Sequence, residues 1–169
     1  FFNQCNVKKD KCYYFIMNTN KHLLIIHHSQ SGNTEKMTTA IISGARKTDI
    51  SIRSLSALKA TAKDLFWADA VIFGTPENFG YMSGALKFFF DNVYNECLEK
   101  INGMPYAIYI KAGNDGLGAK NSIEKILSGL TLKEIHDPII VAGPLTSGSL
   151  VKCEELGHLI ALGVIESIF

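Results

Sequence analysis

Short apolar runs alternating with helical patterns constrain this chain more than any other feature. Leu23-Leu24-Ile25-Ile26-His27 is almost continuously apolar, the pattern of a strand buried on both faces. A polar loop from Ser29 to Thr34 follows, then a helical stretch to about Arg46. Ile50 to Leu55 alternates apolar and polar residues as an edge-like strand does, and Ala62 to Ala68 reads as a short helix. Ala70-Val71-Ile72-Phe73 is a second buried strand, which the sequence predicts to stop at Gly74, Thr75 and Pro76. Ser83 to Glu96 places Ala85, Phe88, Phe89, Val93 and Cys97 at helical spacings. The alternation continues with a strand over Tyr106 to Ile110 and a helix over Ala119 to Leu130. A strand at Ile139-Ile140-Val141 and a helix over Val151 to Ile168 complete it. Such alternation implies βαβ units, a parallel sheet and right-handed crossovers.

Composition narrows the class. The 169 residues, 47% hydrophobic and 20% charged, suit one domain with a sizeable core, expected over residues 17–169. No apolar run reaches the roughly 20 residues that span a bilayer, so no membrane insertion is expected. A formal net charge of +1 gives no field to attract nucleic acid, and none is expected as a partner. Cys5, Cys12, Cys97 and Cys153 form no C-x-x-C pair and no zinc or disulfide pattern. They are read as separate reduced thiols of a cytoplasmic protein. Residues 1–16 show no clean period. They are expected to be an upstream extension outside the fold, with Met17 as the natural start. No metal site is expected: His27-His28 ends a buried strand without a third ligand at suitable spacing.

The loops separate a dinucleotide-binding sheet from its competitor, because ligands of open parallel sheets bind outside the carboxyl ends of the strands. Ser29-Gln30-Ser31-Gly32-Asn33-Thr34 has neither the three-glycine dinucleotide fingerprint nor the lysine of a triphosphate loop. It offers three hydroxyls, amide groups and a glycine directly before a helix. That suits a phosphate monoester held by unpaired N–H groups and the helix dipole. An ordinary helix cap uses the same residue types; six polar or glycine residues straight after a buried first strand favour phosphate. The second loop, Gly74-Thr75-Pro76-Glu77-Asn78-Phe79-Gly80-Tyr81-Met82-Ser83-Gly84, is long and carries two aromatics and exposed amides. It can give a flat ring both backbone hydrogen bonds and an apolar wall, or Phe79 can simply tuck into the core. Charged loop residues are mostly exposed, so Glu77 is expected to face solvent or a neighbouring subunit. The third, Lys111-Ala112-Gly113-Asn114-Asp115-Gly116-Leu117-Gly118, permits close backbone approach to a ligand and also describes a plain turn.

At these residues the sequence resembles a known family. HHSQSGNT after the first strand, ADAVIFGTPENFGYMSGALKFFFD and AGNDGLGA are similar to the flavodoxin-like NAD(P)H-dependent FMN reductases. Quinone reductases of the tryptophan-repressor-binding-protein type are relatives of that group, and the resemblance covers Lys21 to the C-terminus. It implies an α/β three-layer sandwich, with a five-stranded parallel sheet in the order 2-1-3-4-5 and helices on both faces. It implies flavin mononucleotide (FMN) as cofactor and NAD(P)H as co-substrate. The FMN phosphate would lie on Ser29, Gln30, Ser31, Gly32, Asn33 and Thr34. Thr75, Pro76, Glu77, Asn78, Phe79, Gly80 and Tyr81 would line the ring and ribityl chain. Ala112, Gly113, Asn114, Asp115 and Gly116 would close the other side. His136 precedes the last strand where the quinone-reductase relatives carry a histidine near the flavin; it and Asp115 are the candidate proton donors.

Two functional classes share such a fold. Flavodoxins, one-electron carriers, are usually strongly acidic and cover the ring with aromatics from both later loops. This chain is nearly neutral, and Ala112 to Gly118 contains no aromatic. Hydride transfer needs one open ring face for a nicotinamide and then for an acceptor. The expected function is therefore an FMN-binding oxidoreductase passing electrons from NAD(P)H to a quinone, a flavin or another small acceptor; the alternative is a flavodoxin-type carrier. Trp67 is expected to anchor the core, and Lys111 to meet a nicotinamide phosphate or edge into solvent. The Phe88-Phe89-Phe90 run exceeds what one helix face hides, so an exposed ring and a homodimer interface are expected there.

Overall fold

The computed structural model describes residues 21–169, so the expectations for residues 1–16, Met17, Cys5 and Cys12 lie outside the described residues. Parallel pairing follows from the buried runs. β1 (His22–His27) lies between β2 (Ser51–Ser56) and β3 (Ala70–Asn78), and β3 pairs on its other side with β5 (Pro105–Ala112). β5 carries two short parallel partners, β6 (Lys133–Glu134) and β7 (Ile139–Ala142). The sheet order β2-β1-β3-β5-β6, with β7 also on β5, is the expected 2-1-3-4-5 with its last strand split. β4 (Tyr81–Met82) adds an antiparallel partner to the end of β3.

Five helices among the described residues cover the sheet: α1 (Asn33–Ala45), α2 (Ala62–Trp67), α3 (Gly84–Cys97), α4 (Leu117–Gly129) and α5 (Ser147–Ile165). Strand alternation divides the core in two. Leu24 and Ile26 join Val71, Phe73, Ile108 and Ile110 on the face covered by α2, α3 and α4. Leu23 and Ile25 join Ala70, Ile72, Ala107 and Tyr109 on the face covered by α1 and α5. Gly44 and Gly157 let those two helices touch backbone to backbone, since a Cβ on either would overlap a carbonyl of the other helix.

The structure corrects the sequence reading at several points. β3 does not stop at Gly74 but runs through Pro76 to Asn78. Gly74 O accepts from His28 N at 3.0 Å on the β1 side. Two residues on, Pro76 faces that same side beyond the last β1–β3 pair, His27 with Gly74. Its missing N–H therefore forfeits no ladder bond. Among the described residues the strands number seven rather than five, because β4 forms from a loop and the edge strand breaks at Ile135 to Pro138. α5 starts at Ser147, ahead of the expected Val151, because Thr146 caps it by accepting from Ser149 N at 3.2 Å. Trp67 packs against the core as expected, although it is not fully buried. It is half-buried at the β1 start, with the Arg53 guanidinium 3.9 Å over its ring and His22 at 4.3 Å. In the phenylalanine run, Phe89 and Phe90 are buried against Phe73, and Phe88 is the exposed ring at 55%.

One row of the sheet links it to the start of α1. His27, Gly74 and Tyr109 are register partners across β1, β3 and β5. The fully buried Tyr109 ring lies over Gly74, and its hydroxyl meets Thr38 Oγ1 at 2.5 Å. Thr38 Oγ1 also donates to Thr34 O at 2.9 Å, one turn earlier. Any side chain on Gly74 would overlap the phenol ring. Gly74→Ala is therefore expected to destabilise the fold by about 2 kcal/mol, although alanine is otherwise the better strand residue. A urea-unfolding midpoint equal to or above the wild type would contradict this packing.

Candidate functional site

The three chemistry-bearing loops all leave the carboxyl end of the sheet. The first follows His27. Gly32 has φ +83°, and no atom lies within 4 Å of where its Cβ would be, so the space beside it is open. Ser29 Oγ turns inward, accepting from Gly32 N at 3.1 Å and Glu35 N at 3.2 Å. The amides of Gln30, Ser31, Asn33 and Thr34 donate to nothing among the described residues. Thr34 is 2% exposed, and Asn33 Nδ2 reaches Ser31 Oγ at 3.5 Å. No lysine or arginine bonds into this loop among the described residues. It is a set of neutral donors at the positive end of a 13-residue helix, a donor set that fits a phosphate.

The second loop is a hairpin, which the sequence reading did not foresee. Asn78 pairs with Tyr81, and the two residues between them, Phe79 (φ 53°) and Gly80 (φ 69°), both adopt the left-handed region of a type I′ turn. Phe79 is fully exposed rather than tucked into the core, a conformation that costs a bulky residue about 1–2 kcal/mol. The Phe79 and Gly80 amides have no partner among the described residues. At the base of the hairpin, buried Thr75 Oγ1 accepts from Ser83 N at 2.9 Å, and Ser83 Oγ caps α3 by accepting from Leu86 N.

Glu77 does not face solvent. Its carboxylate accepts from Gly116 N and Ala119 N, each at 3.2 Å, at the start of α4. An anion is favoured there by the unpaired N–H groups and the helix dipole, which overrides the usual exposure of loop charges. Gly118 packs directly on the Gly80 backbone, and Met82 N donates to Ser122 Oγ at 3.3 Å. The second and third loops are thus one joined unit. The sequence holds a partial sign of it: an acid at the end of a long strand, and glycines at the start of a later helix.

In the third loop, Gly113, Asn114 and Asp115 are exposed and their amides are unpartnered among the described residues. Ala112 is buried beneath them. Asp115 Oδ1 accepts from Leu117 N at 3.0 Å, so this candidate proton donor serves as a local cap. Gly116 has φ +74°, and a Cβ there would overlap Ile140. Lys111 Nζ donates to Ala112 O at 2.8 Å and to Gly143 O at 2.5 Å, tying β5 to the turn after β7 instead of extending into solvent.

His136 is not brought to this rim. It lies in the break between β6 and β7, level with the middle of β5, and its Nδ1 contacts Asp137 O at 2.6 Å. Cys97 and Cys153 are free and buried, with thiols pushed up to about 11 by burial, so neither supplies a thiolate near neutral pH. Among the described residues, no group of three or more His, Cys, Asp or Glu side chains is placed to hold a metal, and no helix is long and apolar enough to cross a membrane.

If the Glu77 carboxylate joins the two later loops, Glu77→Ala should speed hydrogen exchange at the Gly116 and Ala119 amides by about tenfold or more, the worth of a charge-assisted hydrogen bond. Unchanged exchange at both amides would show that the carboxylate contributes nothing there.

The geometry agrees with comparisons to known proteins. The family model described as NADPH-dependent FMN reductase matches residues 23–144. A flavodoxin of Aquifex aeolicus (strain VF5) is 32% identical over 156 residues, covering 82% of this chain and 84% of the relative. An NAD(P)H dehydrogenase (quinone) of Acidithiobacillus ferrooxidans is 26% identical over 159 residues, covering 81% of this chain and 75% of the relative. The solved structure of a flavodoxin from the domain Archaea shares the fold with a TM-score of 0.73 at 22% identity, covering 85% of this chain and 98% of that one. A sheet in this order, a phosphate-fitting first loop and a family match over most of the sequence agree: the chain belongs to the NADPH-dependent FMN reductases, FMN-binding oxidoreductases of flavodoxin-like fold.

Proposed function

We propose that this protein is a cytoplasmic NAD(P)H-dependent reductase. It holds FMN on the three-loop rim and passes electrons to a quinone, a free flavin or another small acceptor. The observation that carries the reading is the set of unpartnered amides on all three loops at one end of the sheet: Ser31, Asn33 and Thr34, then Phe79 and Gly80, then Gly113 to Asp115. Buried or ligand-facing N–H groups call for partners, and these converge where a doubly wound sheet takes its ligand.

Bound FMN supplies the hydride acceptance and electron release that no side chain here can provide. The chain's own residues position and stabilise. The amides of Ser31, Asn33 and Thr34, with the Ser31 hydroxyl, hold the phosphate at the α1 N-terminus. The Phe79 and Gly80 amides, fixed by the hairpin, would offer a bound flavin fixed donors that favour negative charge on its ring. Glu77 keeps that hairpin against α4 and so sets the spacing between the second and third loops. The segment from Ala112 to Gly118 holds no aromatic that would cover a bound ring, which would leave room for a nicotinamide and then an acceptor. Exposed Phe88 on α3 is the surface on which we place a homodimer contact.

The flavodoxin relative at 32% identity supports a second reading, a carrier without turnover of its own. Turnover separates the two. The purified, FMN-loaded protein is expected to oxidise NADH or NADPH steadily when given a quinone or free flavin and no partner protein. Absence of that oxidation across several acceptors would reject the reductase and leave the carrier.

A further inference from the structure

The loop from Ser29 to Thr34 has no lysine or arginine, yet a buried ionisable base, His27, ends the strand that leads into it. His27 is the last residue of β1, in the same sheet row as Gly74 and Tyr109, on the face that α1 covers. Its side chain is 12% exposed, and its Nδ1 lies 3.3 Å from Glu35 Oε2. The contact is only half made: Nδ1 is buried without an aligned hydrogen bond, an orphaned polar atom at the foot of the loop. Glu35 belongs to the first turn of α1, and its own amide donates to Ser29 Oγ in the loop. A phosphate arriving on the Ser31, Asn33 and Thr34 amides therefore meets the Glu35 carboxylate as a nearby like charge.

We propose that His27 is the proton-linked counter-charge of this loop: phosphate binding draws a proton from solvent onto His27 Nδ1, which then closes its hydrogen bond to Glu35. The inference rests on the reading above that FMN occupies the rim. The surroundings set the direction. Burial is the largest influence and holds the free ring below its ordinary value, while Glu35 on α1 favours the charged ring and His28, the first residue after β1, opposes it. β2 and β3 flank His27 with Ser56 and Gly74, which carry no charge. Tyr109 on β5 stays neutral, its phenol pushed far up by burial, and Glu154 on α5 is held by Lys47 at 2.7 Å. Two added negative charges at the loop shift this balance towards the imidazolium and its pair with Glu35.

The experiment follows the His27 ring by two-bond proton–nitrogen NMR from pH 5 to 8.5, in the free protein, with FMN and with riboflavin. FMN is expected to raise the midpoint of the His27 titration by about one pH unit, which is tenfold in affinity. Riboflavin, which lacks the phosphate, is expected to leave it in place. FMN affinity measured by flavin fluorescence should tighten about threefold more from pH 8 to 6 in the wild type than in His27→Gln, because the lowered midpoint of the free ring leaves only part of the coupling within that range. The ligand's own phosphate ionisation enters both proteins equally and cancels in that comparison. An unmoved His27 midpoint with FMN bound, equal shifts with both ligands, or parallel pH profiles would overturn the inference while leaving the FMN site intact. Failure of FMN to bind at all would reject the proposed function and this inference with it.

Discussion

The contact between Tyr109 and Thr38 across a bare Gly74 fixes where the first helix begins relative to the sheet. A phenol ring from β5 crosses the central strand β3 only because Gly74 has no side chain, and its hydroxyl then meets α1 one turn inside its start. Thr38 passes the constraint to the Thr34 carbonyl. A buried hydrogen bond of this kind is costly to break, since either partner left alone is an unsatisfied polar group in the core. The loop from Ser29 to Thr34 is thereby held at both ends, by β1 below and by α1 above. Its donors are fixed before any ligand arrives, and preorganised donors lose little on binding.

The other two loops are built on a different principle. They depend on each other rather than on the core. Glu77 on the second loop satisfies the start of the helix that follows the third, and Gly80 and Gly118 touch through their backbones. Strain at Phe79 is tolerated because the hairpin ladder on either side fixes the turn. The rim thus combines one half anchored in the core with one half anchored in itself. Its two halves meet at Gly74, which ends the β1 pairing and opens the second loop.

Much of this was legible in the chain. The buried strands are short apolar runs, identified by their length and their alternation with helical patterns. The candidate phosphate loop stands out at Ser29 to Thr34, where hydroxyls, amides and a glycine meet a helix start. What stayed hidden depends on contacts between segments far apart in sequence. Glu77 looked like an exposed charge because nothing local reveals a helix N-terminus 39 residues away. Pro76 looked like a strand terminator because its harmlessness depends on where β1 ends. Nothing local marks Thr146 as a helix cap, and His136 precedes the last strand in the chain although the split edge strand holds it away from the rim.

A neutral cradle for a doubly charged ester is the claim on which the site stands, and the phosphate group itself tests it. Isothermal titration at pH 8 compares FMN with riboflavin, which shares the ring and ribityl chain. Two or more hydrogen bonds to an anion, each worth about 1.5–3 kcal/mol, predict riboflavin binding weaker by at least about 100-fold. Equal affinity for the two ligands would mean that the loop from Ser29 to Thr34 does not hold the phosphate, and the account of the site would fail.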